Sequence, residues 1–359
     1  MNKQEKELLL ELARFFSADT EKLTALVPQG ATAAVLGQLF YNRTAAIAYD
    51  VLRSRELLGE VNREFRNSLE GAYLQSLERN QSFTCCLDIL NEALKHCKGN
   101  YAMLKGAMLC SFYPKGHRTS NDIDLLVAPD DVSIISEALT AAGFRQGHIR
   151  NGGFVPATRK EIVTSKMTRG ETVPFIKEVR LPFMPYLEVD INFSLDYKNS
   201  DPTVITDMLQ RSVGHRVNNH VKIQTLEEKD FFIHLCAHLY KEATTLPWVK
   251  MNRDLTLYKF VDIYMQLCIF MNNGIDALFS RAAELGMAEI CSCVILWTEA
   301  LLPAHNTYAV DVARKHLAGK EYLLHLVVFP AEKKEYHYVE QDICKRFFAP
   351  DRTTLLEEV

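Results

Sequence analysis

The segment LEVDINFSL, residues 187–195, alternates strictly between apolar and polar side chains. A period of two is typical of a half-buried strand, because successive side chains point to opposite faces. Asp190 lies on the polar face of this segment. A second stretch, NDIDLLV at 121–127, places Asp122 and Asp124 two residues apart in an otherwise apolar run, although aspartate is disfavoured within strands. We therefore predict two strands that each present acids from one face.

Helical spacing dominates on both sides of these strands. Apolar residues recur three and four apart through residues 1–99, and the pattern returns from about residue 200. Between these parts, the order strand, helix, strand, helix is predicted from residue 101 to Gly143. The pattern predicts an α+β fold, in which a small mixed sheet forms a core domain at 100–198. Helical domains at 1–99 and 199–359 are expected to flank it.

Two further segments carry structural predictions. Residues 145–185 contain several Gly and Pro and are expected to be irregular or hairpin-like. TLEEKDFFIHLCAHLYKEA is predicted as a helix that Thr225 caps, with Glu228 completing a capping box. His234 and His238 lie four apart on this helix, a spacing that suits zinc. HLCAH lacks the Glu of the HExxH signature, so helix packing is the favoured interpretation.

Composition restricts the class of protein. The 359 residues suffice for two or three compact units. A net charge of -4 excludes a globally basic nucleic-acid binder but not a local basic site. No run approaches the roughly 20 apolar residues of a membrane span. The N-terminus reads as an amphipathic helix rather than a signal peptide.

Nine cysteines are present, and none forms a CxxC pair. Several, including Cys85 and Cys236, lie in apolar helical patterns. We therefore expect buried, reduced thiols and a cytoplasmic location. Cys291 and Cys293 could be metal ligands, but no second cluster at metal spacing accompanies them.

The acids of the two strands suggest a metal site. Asp122 and Asp124 share a strand face, with backbone positions about 6.5–7 Å apart. Two carboxylates repel unless a positive charge lies between them, and carboxylates bridge the ions of two-metal phosphoryl-transfer sites. If the strands are neighbours, Asp190 joins the site and can accept the proton of an attacking hydroxyl, with Glu188 as a spare acid. A solvated edge strand is the alternative interpretation.

Basic residues near these acids suit phosphate. Lys105 and Gly106 lie at a predicted strand-to-helix turn, where glycine lets a phosphate approach the backbone and the helix N-terminus. Arg118 lies four residues before Asp122, and residues 145–180 contain eight Lys or Arg against three Glu. Such a positive surround suits a triphosphate or an anionic acceptor. A generic turn and a basic loop without a partner are the competing interpretations.

The segments KGAMLCSFYP, HRTSNDIDLLV, ALTAAGF and LEVDINF resemble the uncharacterised nucleotidyltransferase family of the polymerase-β-like nucleotidyltransferase superfamily. The resemblance runs from about Leu104 to Phe193, and a weaker match covers TLEEKDFFIHLCAHL and KFVDIYMQL. It implies catalytic and metal-binding roles for Asp122, Asp124 and Asp190. The nucleotide contacts that we expect are Lys105, Gly106, Ala107, Arg118 and Ser120. Ala107 stands where the superfamily usually has a serine, so one hydroxyl is missing.

The resemblance implies a transferase that uses Mg²⁺ or Mn²⁺. It would move a nucleoside monophosphate from a nucleoside triphosphate, expected to be ATP, to an acceptor hydroxyl or phosphate, releasing pyrophosphate. A small molecule or a peptide or protein is favoured as acceptor over long nucleic acid, because the chain is acidic overall; no membrane partner is expected. Two other classes stay open. Ala107 motivates a non-catalytic nucleotide- or partner-binding module, and the acid pair also suits a DxD nucleotide-sugar glycosyltransferase, against which the helical first hundred residues argue.

Overall fold

The structure is a computed structural model and describes residues 1–195, 201–270, 272–304 and 306–359. Its helices are α1 (Lys3–Ala13), α2 (Thr20–Gly30), α3 (Ala33–Tyr41), α4 (Ala45–Ser54), α5 (Arg63–Leu94), α6 (Gly106–Leu109), α7 (Val132–Ala141), α8 (Arg159–Arg169), α9 (Pro202–Gln210), α10 (Glu228–Ala243), α11 (Leu246–Lys250), α12 (Leu257–Ile269), α13 (Asn272–Glu284), α14 (Ala288–Leu301), α15 (Thr307–Leu317) and α16 (Ile343–Phe347). Its strands are β1 (Tyr101–Met103), β2 (Asp122–Val127), β3 (Arg145–Arg150), β4 (Gly153–Pro156), β5 (Phe175–Leu181), β6 (Met184–Asn192), β7 (Val213–Arg216), β8 (Lys222–Thr225), β9 (Leu326–Phe329), β10 (Lys334–Tyr338) and β11 (Leu356–Glu358).

The predicted α+β class is confirmed: the protein is 56% helical and has a mixed eight-stranded sheet. The chain forms two compact units, one from Met1–Tyr73 with Phe232–Val359 and one from Leu74–Phe231. The boundaries of these units fall inside α5 and α10, because both helices continue past them. The three-domain division expected from the sequence stays a prediction.

The eight-stranded sheet belongs to the unit formed by Leu74–Phe231. Its strand order is β4-β3-β5-β6-β2-β1-β8-β7, and the pairs β2/β6 and β1/β8 are parallel while the other pairs are antiparallel. One face of the central strands is fully buried, as Ile123, Leu125, Val189 and Ile191 show. The alternation of β2 and β6 therefore has the expected cause, with apolar residues in the core and acids on the opposite face.

The sequence prediction missed several elements of this unit. Residues 145–185 are not merely irregular, since they contain α8 between two pairs of strands. Thr158 and Glu161 form a capping box at the start of α8, a sequence signal that would have identified the helix. The predicted cap at Thr225 is wrong. Thr225 ends β8, and its hydroxyl donates to the Met103 carbonyl at 2.6 Å, so it is not available to cap α10, which begins at Glu228.

The other unit is mostly helical and also holds an antiparallel three-stranded sheet in the order β11-β10-β9, which the sequence analysis did not predict. This unit contains a buried ion pair. Nε of Arg352 lies 2.9 and 3.1 Å from the two carboxylate oxygens of Asp254. Both residues are almost fully buried, so each charge depends on the other for solvation.

The cysteines are free thiols. Cys86, Cys236, Cys291 and Cys293 are buried, but Cys85 is exposed on α5, contrary to the expectation that it is buried. Taken one at a time, the helices of the described residues are too short or too polar to cross a membrane. Helices α2 and α3 together have the length and composition of a membrane-spanning segment, although the chain bends by 117° where they join.

Candidate active site

Four carboxylates form a two-by-two array on neighbouring strands. β2 and β6 run parallel, and their register places Asp122 opposite Glu188 and Asp124 opposite Asp190. Paired strands lie about 4.8 Å apart, and residues two apart share a face, so all four acids project from the same face. The structure therefore brings together the three acids singled out from the sequence and adds Glu188, which had been only a spare.

The array is electrostatically crowded. Burial, followed by the charges of Asp124, Asp122, Glu188 and Glu171, raises the pKa of Asp190 well above its ordinary value. Burial, then the charges of Asp122 and Asp124, also raises the pKa of Glu188. Glu171, which was not predicted as a site residue, reaches the site because it forms an isolated bridge with Asn192 at the end of β6. No local pattern marks this acid, since it follows the C-terminal glycine of α8.

Lys105 places a positive charge directly against the array. Its ammonium lies 2.8 Å from Oδ1 of Asp124, and Nδ2 of Asn192 lies 3.3 Å from the same oxygen. The backbone continues the sheet past β1, because the Leu104 N–H donates to the Asp124 carbonyl at 2.9 Å. Lys105 itself has a φ of 45°, an uncommon conformation for a residue with a side chain. The turn therefore directs a lysine into the acid cluster at some cost in backbone strain.

Gly106 lies under the loop that leads into β2. A Cβ at this position would lie 2.5 Å from Cβ and 2.7 Å from Oγ of Ser120. Ser120 is nine-tenths buried, and its hydroxyl donates to Oδ1 of Asp122 at 3.0 Å. Only glycine leaves room for Ser120 to approach so closely, so this contact links the turn after β1 to the first acid of β2.

Ala107 has a different environment from its neighbours. Its side chain is fully buried, its N–H donates to the Leu104 carbonyl, and its carbonyl lies 3.4 Å from Sγ of Cys110. The N–H of Met108 likewise donates to the Lys105 carbonyl. The nucleotide contact expected at Ala107 stays a prediction, and the geometry leaves it no side-chain surface for that contact. The nearby hydroxyl of Ser120 packs against Gly106 instead and donates to Asp122.

Arg118 lies in the loop between α6 and β2 and is nine-tenths buried. Its guanidinium donates to the carbonyl of Thr119, the next residue. The basic segment at 145–180 makes several contacts with partners other than the four carboxylates. Lys177 bonds the Ala142 carbonyl at 2.9 Å, and Arg145 stacks over Phe154 at 4.2 Å. The positive surround expected from the sequence is therefore partly engaged elsewhere.

His234 and His238 lie one turn apart on α10, with stacked rings whose centroids are 6.5 Å apart. Nε2 of His238 lies 3.3 Å from Oε1 of Glu242, which also pairs with Lys259. These contacts agree with helix packing rather than zinc binding. Across the described ranges, no three His, Cys, Asp or Glu side chains converge closely enough to enclose a metal ion.

The acid array nevertheless fits a hard divalent cation by its donor chemistry. It consists of carboxylate oxygens, which Mg²⁺ and Mn²⁺ prefer over nitrogen or sulfur. Burial is the main cause of the raised pKa values of Asp190 and Glu188, and the mutual repulsion of the acids, which a cation would relieve, adds to it. As oriented, the side chains do not surround one point, so they would have to rotate to coordinate an ion.

The crowding predicts how stability depends on pH. Because the folded pKa of Asp190 lies above its ordinary value of 3.8, folding favours the protonated acid, and stability falls as pH rises from about 4 through the raised pKa. We expect Asp190→Asn to raise the free energy of unfolding at pH 8 by about 0.5–2 kcal/mol, as relief of unfavourable charge commonly does. The gain should vanish near pH 4. Thermal unfolding in EDTA across this pH range measures both effects.

A control for this prediction is Glu178→Gln. Glu178 is an exposed acid of β5 that forms an ion pair with Arg180. The stability of this variant should change by less than about 1 kcal/mol, because an exposed ion pair contributes little. Addition of Mg²⁺ should raise the unfolding temperature of the unsubstituted protein more than that of Asp190→Asn. An Asp190→Asn protein that is less stable at pH 8 would contradict the prediction.

Comparison with known proteins assigns the chain to a family. The model of an uncharacterised nucleotidyltransferase family matches residues 31–303, which include the strands, the turn and the loop described above. Searches of curated proteins and of solved structures found no match. The family match spans well over half of the 359 residues and confirms the resemblance seen in the sequence motifs. The chain is therefore a member of this uncharacterised nucleotidyltransferase family.

Proposed function

We propose that the protein is a metal-dependent nucleotidyltransferase. It transfers a nucleoside monophosphate from a nucleoside triphosphate to an acceptor hydroxyl or phosphate and releases pyrophosphate. The observation that carries this proposal is the register of β2 against β6, which pairs Asp122 with Glu188 and Asp124 with Asp190. Lys105 lies against one corner of that array, where a phosphate-binding cation is useful. Family membership supports nucleotidyl transfer in general, and the metal, nucleotide and acceptor are our proposals.

Asp122, Asp124 and Asp190 would hold the metal, for which Mg²⁺ or Mn²⁺ is expected. When bound, the ion would neutralise charge on the triphosphate. Lys105, Arg118 and Ser120 would bind and orient the phosphates, with the Lys105 ammonium moving from Asp124 toward a phosphate oxygen. Such positioning and charge neutralisation account for most of the catalysis of phosphoryl transfer.

Asp190 is the group best suited to accept a proton. In the transfer, the acceptor oxygen forms a bond to the α-phosphorus while the bond from that phosphorus to the pyrophosphate oxygen breaks. The proton of an acceptor hydroxyl passes to a carboxylate of the array. Asp190 is proposed for this role because the strand register sets it opposite Asp124, on the face that the four acids share. Glu188 is the second choice for this role.

The acceptor is proposed to be a small molecule or a peptide or protein. A long nucleic acid requires many Lys and Arg contacts with its phosphates. The chain has a net charge of -4, and Lys177 and Arg145 of its basic segment already have other partners. We expect the nucleotide to be ATP, which a comparison of the four labelled nucleoside triphosphates tests.

One observation favours a second candidate, a non-catalytic nucleotide- or partner-binding module. Asp124 is paired with Lys105, and no three metal-binding side chains converge within the part of the chain that the structure describes. A protein that retains the fold without the reaction would have this arrangement. The glycosyltransferase alternative lacks such support, because only β1 precedes the DxD strand and five helices fill the first 94 residues.

The decisive experiment does not require the acceptor to be known, because cell extract supplies it. The protein is incubated with α-labelled ATP, GTP, CTP or UTP, with Mg²⁺ or Mn²⁺ and with cell extract. We expect one nucleotide to yield a labelled product and pyrophosphate, both dependent on the metal, and the chemical nature of the product identifies the acceptor class. Calorimetry with the same nucleotides separates the two candidates. Tight binding without pyrophosphate release across extracts and a broad acceptor panel would favour the module.

A further inference from the structure

Asn80, in the middle of α5, holds the loop that precedes β2. Its Nδ2 donates to the Arg118 carbonyl at 2.8 Å, and its Oδ1 accepts from the Gly116 N–H at 2.9 Å. A single side-chain amide therefore satisfies a donor and an acceptor of the loop backbone two residues apart. This two-point contact resembles the pairing of a neighbouring strand and fixes both the position and the orientation of the peptide units.

The loop that Asn80 holds carries two of the expected nucleotide contacts. Arg118 and Ser120 are both nine-tenths buried, although the loop between α6 and β2 has no regular structure around them. Ser120 lies against Gly106 and donates to Asp122. Gly116 has a φ of +85°, a conformation that only glycine adopts readily, so the loop turns sharply just where Asn80 holds it. A displacement at Gly116 or Arg118 would thus be passed on to Ser120 and Asp122.

We propose that Asn80 is a positioning residue of the candidate site and sets the affinity for the nucleoside triphosphate through Arg118 and Ser120. This proposal rests on the proposed nucleotidyl transfer. Binding sites need their contacts held within about 0.5 Å, and a loop with few backbone partners does not achieve this unaided. Replacing Asn80 removes two hydrogen bonds at once, and we expect affinity for ATP with Mg²⁺ to fall about ten-fold.

The same helix offers a matched control. Asn91 lies about three turns further along α5, and its Nδ2 donates to the Lys222 carbonyl of β8 at 2.9 Å. Asn80→Ala and Asn91→Ala therefore remove the same side chain from the same helix, and each breaks a bond to a backbone carbonyl. Only Asn80 contacts the loop before β2. A merely structural role would lower stability in both variants and leave nucleotide affinity equal.

The experiment combines hydrogen exchange with calorimetry on the full chain. We expect Asn80→Ala to speed exchange in residues 114–121, and Asn91→Ala to speed it in residues 222–225. Calorimetric titration with ATP and Mg²⁺ should show about ten-fold weaker binding for Asn80→Ala and unchanged binding for Asn91→Ala. If Asn80→Ala does not fold, Asn80→Ser, which stays neutral and polar but is too short to make both hydrogen bonds, carries the same test.

Three results would overturn the inference, and they differ from failure of the proposed function. Equal ATP affinity of Asn80→Ala and the unsubstituted protein excludes a positioning role. An equal loss of affinity in Asn91→Ala shows a general effect of α5 rather than of the loop. Unchanged exchange at 114–121 excludes the hold on the loop, and this readout needs no nucleotide. Absence of binding in the unsubstituted protein, by contrast, refutes the proposed function itself.

Discussion

Replacing both Asp122 and Asp124 with asparagine is expected to lower nucleotidyl transfer at least about 10³-fold, or about 4 kcal/mol in activation free energy. Asparagine has nearly the shape of aspartate, so the backbone pairing of β2 should persist. Its neutral amide binds a divalent ion far less well than a carboxylate, and the array loses two of its four charges. The measurement is the release of pyrophosphate from ATP with Mg²⁺, together with metal-dependent nucleotide binding.

The same double substitution has a second expected consequence, which distinguishes loss of function from loss of fold. After burial, the charges of Asp122 and Asp124 are the next causes that raise the pKa values of Asp190 and Glu188, so removal of these charges relieves repulsion. Relief of this repulsion offsets the loss of the ion pair between Asp124 and Lys105, so we expect the inactive variant to unfold in EDTA at a temperature no lower than that of the unsubstituted protein. Asp130→Asn, an exposed acid shortly after β2, is the control and should change neither property. Full transfer activity in the double variant would refute the assignment of the acids.

Gly106→Ala is expected to cost about 1–3 kcal/mol in the free energy of unfolding, the usual range for overpacking, and to weaken ATP binding. The reason is space rather than backbone conformation. The added Cβ would lie 2.5 Å from Cβ of Ser120, well inside contact distance, so Ser120 must move away from Asp122. Chemical denaturation and calorimetric titration with ATP and Mg²⁺ measure the two effects.

Two variants test the cause of this effect. Gly71 lies within α5, where an added Cβ would meet nothing within 4 Å. Gly71→Ala should therefore raise the free energy of unfolding by about 0.5–1 kcal/mol, because alanine favours helix. Ser120→Gly removes the atoms that the new methyl group would strike. Gly106→Ala combined with Ser120→Gly should therefore lose less stability than the sum of the two single changes, a coupling that a double-mutant cycle measures. Additive losses would show that the clash with Ser120 is not the cause.

The features that the sequence predicts well are those with a local cause. The alternation at 187–195 and the acid pair at 121–127 predict β6 and β2, because a strand places every second residue on one face. Gly143 ends the helix before β3 with a φ of +87°, as expected of a C-terminal glycine. The α+β class follows from the same patterns.

The missed elements lack such a signal or depend on distant partners. β7 and β8 have four residues each, too few for an alternation to stand out, and they exist because β8 pairs with β1. The cap predicted at Thr225 failed for the same reason, since its hydroxyl bonds Met103 in that pairing. α8 is the exception. Its capping box is present in the sequence, but the surrounding Gly and Pro led to the prediction of an irregular segment.

The features of the candidate site likewise fall into two groups, those with a local cause and those that depend on distant residues. The sequence alone determined which acids share a strand face and that a lysine and a glycine precede them, because both properties depend on residues within a few positions. Only the tertiary structure decided that Asp124 faces Asp190, that Lys105 reaches Asp124, and that Asn80 holds the loop at Arg118. These contacts join residues 19 to 66 positions apart. The strand register and loop path that create them come from packing of the whole unit, which no local period encodes.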